Sequence, residues 1–288
     1  MKRKTSIILW IIAFVLTLLI AYFQYITGPT HPINSTEHLN GEIVSYKLPR
    51  SSNNSSKNIS ISIRTKKEDT RASLSFRRLN SNDKWGKKEM KRDGYRLVTE
   101  IPSQPCAGKI EYKIKVVCNN KELELNKCKS IVIRFKGKVP KIFLMIHIIF
   151  MFFGIMFAIR TGMEILRKDG NYTWMITCTF VMILFGGMVF GPIVQKYAFN
   201  NWWTGFPIGK DLTDNKMLLM VILWTLAFFL KKKNKWWVFT ATVLMLIVYL
   251  IPHSAYGSEL DYRTGKMKNK YGFFQISGPS NFINKTKS

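Results

Sequence analysis

Hydrophobic residues occur in five long runs, and their order predicts how the chain is organised. The first run covers residues 7–26, enough to cross a bilayer core of about 30 Å at about 1.5 Å per residue. The other four fill the second half of the chain, at 142–159, 174–197, 217–230 and 236–251. We therefore expect about five transmembrane helices, with a long polar stretch between the first and the second.

Within this polar stretch, apolar and polar residues alternate. Alternation over about half a dozen residues is typical of a strand with one buried face. The segments that show it, or that read as further short strands, are 42–48, 59–64, 72–77, 95–101, 110–116, 122–125 and 131–135. About seven short strands in about a hundred residues indicate a compact antiparallel sandwich of immunoglobulin-like kind.

The predicted fold is thus a multi-span α-helical membrane protein with an inserted all-β, immunoglobulin-like sandwich. Its expected parts follow from the composition shifts along the chain. They are an N-terminal membrane anchor (1–27), a linker (28–40), the β-sandwich (41–138), a membrane domain of four helices (139–252) and a C-terminal tail (253–288).

Basic residues predict the orientation of these parts in the membrane. They cluster at 2–4, at 160–168 and at 231–235, and the positive-inside rule assigns all three clusters to the cytoplasm. The sandwich and the C-terminal tail are then extracytoplasmic, and the expected location is the cytoplasmic (inner) membrane. A cleaved signal peptide is the alternative for the first run, but that run exceeds the usual apolar length and lacks an Ala-x-Ala site, which favours an uncleaved anchor.

The charge of the polar region indicates which partners it could bind. The chain is 47% hydrophobic and 21% charged with a net charge of +27, and residues 31–140 hold 24 basic against 11 acidic side chains. Such a domain favours anionic partners, namely lipid headgroups, an acidic polysaccharide or an acidic protein. The scattered basic residues lack interleaved aromatics, which argues against nucleic acid. A simple solvated basic surface is the alternative.

Two residue types within these regions suggest chemistry only weakly. Cys106, Cys118 and Cys128 lie in the predicted sandwich, where one bridge such as Cys118–Cys128 is open in an oxidising compartment. His147 lies inside the second predicted span, where an ionisable side chain is a functional hypothesis by default. The alternative for His147 is a neutral imidazole hydrogen-bonded to a neighbouring helix.

The densest candidate chemistry lies in the loop 200–216 and the tail 251–262, which the predicted topology brings to the same outer face. The candidate ligand-binding residues are Asp211, Asp214, His253, Glu259, Asp261, Trp202 and Trp203. Carboxylates and imidazole bind hard or borderline cations, so the metal candidates are His253, His147, Asp211 and Asp214. A carboxylate beside His253 could also form an acid/base pair.

Each of these residues also has a structural interpretation. Asp214 stands where the N-cap of the fourth membrane helix is expected. Trp202 and Trp203 fit an interfacial aromatic belt. Both interpretations stay open at the level of sequence, because capping residues and site residues are the same chemical types.

Three strings in this half of the chain carry a resemblance. They are Trp-Trp-Thr-Gly-Phe-Pro at 202–207, Asp-Leu-Thr-Asp-Asn-Lys at 211–216, and Ile-Pro-His-Ser at 251–254 with Gly-Ser-Glu-Leu-Asp at 257–261. The chain thereby resembles uncharacterised bacterial integral membrane proteins that combine an exported β-sandwich with a helical membrane part. The resemblance implies an inner-membrane location and no particular activity.

Motifs of common enzyme classes do not occur in the sequence, including the Walker loop, the dinucleotide glycine fingerprint, HExxH and GxSxG. We expect a non-enzymatic binding or envelope-assembly component that needs no cofactor. Its expected partners are the lipid bilayer and anionic envelope components or another membrane protein, with a homo-oligomer as an open question. The alternative is a membrane enzyme or redox protein that holds a metal or haem at the outer face.

Overall fold

The computed structural model describes residues 2–53, 56–167, 170–252, 257 and 259–267. Its helices are α1 (Lys2–Thr27), α2 (Lys141–Ile165), α3 (Thr173–Ile183), a π-helical segment (Leu184–Phe190), α4 (Gly191–Phe199), α5 (Leu212–Leu230) and α6 (Trp236–Leu250). The segments α3 to α4 form one continuous helix, Thr173–Phe199.

Four of these helices are long and apolar enough to cross a membrane, counted over the part of the chain that the structure describes. They are Lys4–Thr27, Lys141–Ile165, Thr173–Phe199 and Leu212–Leu230. The fifth predicted span is the apolar helix α6, whose 15 residues make it shorter than a typical membrane-crossing helix. The structure thus combines apolar helices with separate β-sheets.

The strands follow α1 and precede α2, apart from a short hairpin near the C-terminus. They are β1 (Ile33–Leu39), β2 (Glu42–Leu48), β3 (Ser51–Ser52), β4 (Ile59–Arg64), β5 (Arg71–Arg78), β6 (Gly86–Glu89), β7 (Lys91–Asp93), β8 (Arg96–Ile101), β9 (Lys109–Cys118), β10 (Lys121–Glu124), β11 (Ile131–Phe135), β12 (Leu260–Asp261) and β13 (Lys266–Met267).

Strands β1 to β11 form two sheets, which we call the β domain (33–135). The first sheet has the order β1-β2-β4-β8-β7, and the second has the order β3-β11-β9-β5-β6 with β10 paired to β9. Buried residues of both sheets make one hydrophobic cluster, with Ile61 and Ile63 from the first sheet and Leu74 and Ile114 from the second. Alternate residues therefore point into a common core, as the period-two pattern predicts.

The segment 28–40 differs from the expected linker, because it contains β1. This strand pairs with all of β2, from Ile33 opposite Leu48 to Leu39 opposite Glu42, through a turn in which Asn40 and Gly41 both have positive φ. As an edge strand, β1 buries only Leu39 fully. Its polar sequence therefore lacks the alternation that marks the inner strands.

Helix α2 is central to the helical body (α1 to α6), since it packs against α1, α3 and α6. It also extends beyond its expected end, so Arg160 lies inside the helix and not in a loop after it. Arg160 is 1% exposed and forms an ion pair of 2.5 Å with Glu164, one turn further along α2. This pairing lets the helix continue to Ile165 with charged residues in its buried face.

No disulfide joins the described cysteines, so the bridge considered between Cys118 and Cys128 is not present. Cys118 is buried in the core of the β domain, whereas Cys128 is exposed. The turn after β10 carries Cys128 outward, because Asn126, Lys127 and Cys128 all have positive φ.

Candidate functional site

The β domain is attached to the helical body through the short connection between β11 and α2. In this connection, the backbone N–H of Gly137 donates a hydrogen bond of 2.8 Å to the carbonyl oxygen of Ala198, in α4. A Cβ atom at Gly137 would overlap the carbonyl oxygen of Tyr197. Only glycine therefore allows the chain after β11 to approach α4 this closely.

Arg134 of β11 is the central side chain of this attachment. It is 6% exposed, and its guanidinium carbon lies 4.0 Å from the ring centroid of Phe199, at the end of α4. Burial lowers the pKa of Arg134 to about 10, and the negative charges of Asp211 and Glu259 oppose this shift. Arg134 therefore interacts electrostatically with two segments: the loop before α5, through Asp211, and the segment just before β12, through Glu259.

Lys109, the first residue of β9, binds the C-terminal segment directly. Its Nζ atom lies 3.4 Å from Oε2 of Glu259 and 3.3 Å from the carbonyl oxygen of Gly257. The other oxygen of Glu259 accepts a hydrogen bond of 3.0 Å from Asn80. Burial, followed by the nearby charge of Arg134, lowers the pKa of Lys109, while Glu259 acts in the opposite direction.

Tyr262, in the turn between β12 and β13, completes the attachment. Its hydroxyl accepts a hydrogen bond of 2.9 Å from the N–H of Lys109 and donates one of 3.1 Å to the carbonyl oxygen of the same residue. The guanidinium carbon of Arg78 lies 4.8 Å from its ring centroid. Burial raises the pKa of Tyr262 to about 12. We call Lys109, Arg134, Asp211, Glu259 and Tyr262 the junction.

The loop before α5 positions two of the predicted carboxylates, and the N-cap is Asp211, not Asp214 as expected. Asp211 is the N-cap of α5, and its Oδ1 accepts a hydrogen bond of 2.8 Å from the N–H of Thr213. Asp214, expected as the cap, lies in the first turn. Its Oδ2 accepts bonds from the N–H of Thr204 at 2.6 Å and from the side chain of Gln195 at 3.0 Å, so it ties the loop to α4.

The two tryptophans lie at the edge of the same loop. Trp202 is 57% exposed, and the Nζ atom of Lys196 lies 6.0 Å from its ring. The indole N–H of Trp203 donates a hydrogen bond of 3.0 Å to the carbonyl oxygen of Phe206. The hydrogen bond of Trp203 lies within the loop, whereas more than half of Trp202 remains exposed.

The remaining predicted residues are not part of the junction. Asp261 uses Oδ1 to accept a hydrogen bond of 2.9 Å from the N–H of Arg263, within its own hairpin. His147 contacts the π-helical segment, where its Nδ1 lies 2.8 Å from the carbonyl oxygen of Gly186. His253 falls outside the described residues, so an acid/base pair with it stays a prediction.

The structure therefore places Asp211 and Glu259 near two cations, Lys109 and Arg134, which the sequence analysis did not single out. Over the residues it describes, no group of three His, Cys, Asp or Glu side chains lies close enough to hold a metal ion. The carboxylates at the junction receive hydrogen bonds or face buried cations. This arrangement is suited to fixing the relative position of two parts of the chain.

Sequence reasoning missed Arg134, Lys109 and Tyr262. The one available signal was Arg134, a charged residue in the otherwise apolar strand 131–135, a few residues before the apolar helix α2. No known protein family, curated protein or solved structure matches this chain. The geometry of the junction and of the β domain is accordingly the basis for any functional argument.

Proposed function

We propose that this chain is a multi-pass protein of the cytoplasmic membrane that presents an immunoglobulin-like β-sandwich outside it. The four long apolar helices support the membrane assignment. The lysines at 231–235 follow the end of α5, and α1 begins with a basic segment, so the positive-inside rule puts both in the cytoplasm. The β domain, which follows α1, is then extracytoplasmic.

In this position the chain acts as a non-enzymatic binding or envelope-assembly component. The observation that carries this proposal is the junction, in which Arg134 and Asp211 are buried and the other three residues are half-buried. Removing charged groups such as Arg134 and Glu259 from water is costly, and such groups stabilise little compared with apolar packing. Hydrogen bonds do, however, join Lys109 to Glu259 and to Tyr262, and a polar network of this kind specifies one arrangement of the parts it joins. The junction therefore holds the β domain at a fixed height and angle on the helical body, which suits a surface that must meet a partner.

The predicted orientation is tested with thiol labelling of intact cells. Cys128 is exposed and Cys106 is half-buried on the β domain, so a membrane-impermeant maleimide should label the unmodified protein, and Cys106→Ser with Cys128→Ser should remove this signal. A cysteine introduced as Lys232→Cys in this double variant should react only after the membrane is permeabilised. Labelling at position 232 of intact cells would overturn the proposed orientation.

The binding role is tested by cross-linking in membranes. A photoreactive residue at Ser60, exposed on the first sheet, should give a discrete adduct with a partner. The same residue at Lys121, exposed on the second sheet, is the matched control. Protein that yields only an isolated, unlinked monomer at both positions, and that purifies in mild detergent without any bound component, would refute the proposal.

A further inference from the structure

The outer face of the first sheet carries a shallow groove, and its chemistry extends the proposed function. The groove has a volume of about 540 Å³, within the range of roughly 300–1,000 Å³ that ligand sites occupy. Strands β1, β2, β4 and β8 all contribute to its lining. We call it the basic groove, and its charged side chains are Lys47, Arg64 and Arg96.

Register places these cations side by side. Arg64 of β4 lies directly opposite Arg96 of β8, and on its other side it lies opposite Ser45 of β2. Like charges that face each other across two strands are destabilising. Lys47 is two residues after Ser45 on β2, and therefore on the same face of the sheet. The fold thus keeps three exposed cations together at a cost to its own stability.

Several cations of the second sheet are paired with carboxylates, whereas those of the basic groove are not, over the part of the chain that the structure describes. On the second sheet, Lys113 lies 2.8 Å from Glu124 and Arg77 lies 2.5 Å from Glu111. Among the described residues, no carboxylate lies within ion-pair distance of Lys47, Arg64 or Arg96. Asp93 is opposite Arg96 on β7, yet it forms no such pair either. The basic groove is therefore one part of the β domain where positive charge remains available to a partner, and it brings three such charges together.

Neutral polar groups surround these charges. Asn34, Thr36, Ser45 and Ser62 line the basic groove, and the hydroxyls of Thr36 and Ser45 lie 3.4 Å apart. Hydroxyl and amide groups of this kind both donate and accept hydrogen bonds, as sugar hydroxyls do. The one aromatic residue of the lining, Tyr46, is 6% exposed and donates its hydroxyl to Glu37 at 2.5 Å. An exposed aromatic surface on which bases could stack is lacking in this lining.

We infer that the basic groove binds an acidic glycan, with the proposed exposure of the β domain outside the membrane as its premise. The guanidinium groups of Arg64 and Arg96 pair with carboxylate or phosphate groups of the glycan, for which planar, forked donors are well suited. The hydroxyl and amide side chains bind its sugar hydroxyls. Charge complementarity favours an acidic glycan over a neutral sugar, and the mixture of donors and acceptors matches its hydroxyls.

The test measures binding of the full chain in detergent micelles to four immobilised polymers. Polygalacturonate and phosphorylated dextran present carboxylate and phosphate on a sugar, neutral dextran lacks charge, and polyglutamate lacks sugar. We expect binding to at least one of the acidic glycans, at least tenfold weaker binding to neutral dextran and polyglutamate, and weaker binding at higher salt. The relative strength of the two acidic glycans identifies which anion the groove prefers.

Variants locate the site. Arg64→Ser with Arg96→Ser should weaken binding of the acidic glycan at least tenfold. Lys121→Ser with Lys129→Ser removes the same charge from exposed positions near the edge of the second sheet, and should change binding less than twofold. Equal losses in the two double variants would show attraction by net charge alone and would overturn the inference.

Two further outcomes would also overturn it. Polyglutamate that binds as tightly as the acidic glycans would indicate an acidic protein partner. Absence of binding to all four polymers would refute the glycan site while leaving the proposed function to its own labelling and cross-linking tests, so the two failures are distinguishable. Circular dichroism of each variant verifies that the β domain remains folded.

Discussion

Replacing Gly137 by alanine tests whether the β domain is seated on the helical body as the contacts indicate. The new Cβ would overlap the carbonyl oxygen of Tyr197, a backbone atom that cannot move without displacing α4. Overpacking of this kind costs about 1–3 kcal/mol. The hydrogen bond of 2.8 Å from Gly137 to Ala198 contributes about 1 kcal/mol more. We therefore expect the free energy of opening the connection to fall by about 2–4 kcal/mol.

Amide hydrogen exchange measures this change directly. When reclosing is faster than chemical exchange, the exchange rate scales with the population of the open form, so a loss of about 2–4 kcal/mol accelerates exchange about 30- to 900-fold. Mass spectrometry of peptides that cover 134–140 should detect the acceleration. Peptides from the interior of β9 should remain protected, because the core of the β domain does not depend on the connection.

Gly86→Ala is the matched control. A Cβ at Gly86 would lie 3.6 Å from the nearest atoms, both on Phe76, which is an ordinary van der Waals contact. Exchange at 134–140 should not change in this variant. Should Gly137→Ala exchange at the same rate as the unmodified protein, the close approach of the connection to α4 would be refuted, along with the argument that the junction fixes the β domain.

Three further predictions concern single side chains. Gly162→Ala should destabilise the helical body by about 1–3 kcal/mol in detergent unfolding, because its Cβ would lie 2.7 Å from Cγ2 of Thr242, a β-branched side chain with little freedom to move. Glu164→Ala should cost about 3–5 kcal/mol in the same assay, since it removes the partner of a buried arginine. The guanidinium of Arg78 lowers the pKa of Asp83 to about 2, below its value of about 3.9 in unfolded chains. The interaction of Asp83 with Arg78 therefore stabilises the folded protein above about pH 4, and this stabilisation is lost as the pH falls toward 2. Over that range, the difference in unfolding midpoint between the unmodified protein and Asp83→Asn should disappear.

The inner strands and the long apolar helices were predictable from sequence because a single physical cause dominates each. Strands β2 and β4 occupy the predicted ranges 42–48 and 59–64, since one face of each is buried and the other is not. Strand β1 was not predicted, because Leu39 is its one fully buried residue and its sequence therefore shows no alternation of apolar and polar positions. Its signal was instead the dipeptide Asn40-Gly41, whose positive φ angles suit a tight hairpin.

The junction was less predictable, because its partners are far apart in the chain. Lys109 and Glu259 are separated by 150 residues, and Tyr262 reaches Lys109 over 153. The sequence indicated that carboxylates gather near the outer loop and tail, and it did place Asp211 and Glu259 there. It could not indicate that buried cations of the β domain meet them, since that depends on how the β domain is set against α4.

Charge in the β domain shows the same dependence on three-dimensional arrangement. Sequence alone reports an excess of basic residues over 31–140, which a solvated surface explains as well as a binding site does. Register shows where the basic residues lie, because it pairs Lys113 with Glu124 on one sheet and sets Arg64 against Arg96 on the other. A slip of one residue in β4 would turn Arg64 into the core. The hydrophobic alternation that folds the first sheet is therefore also what holds its unpaired cations outward, in one groove.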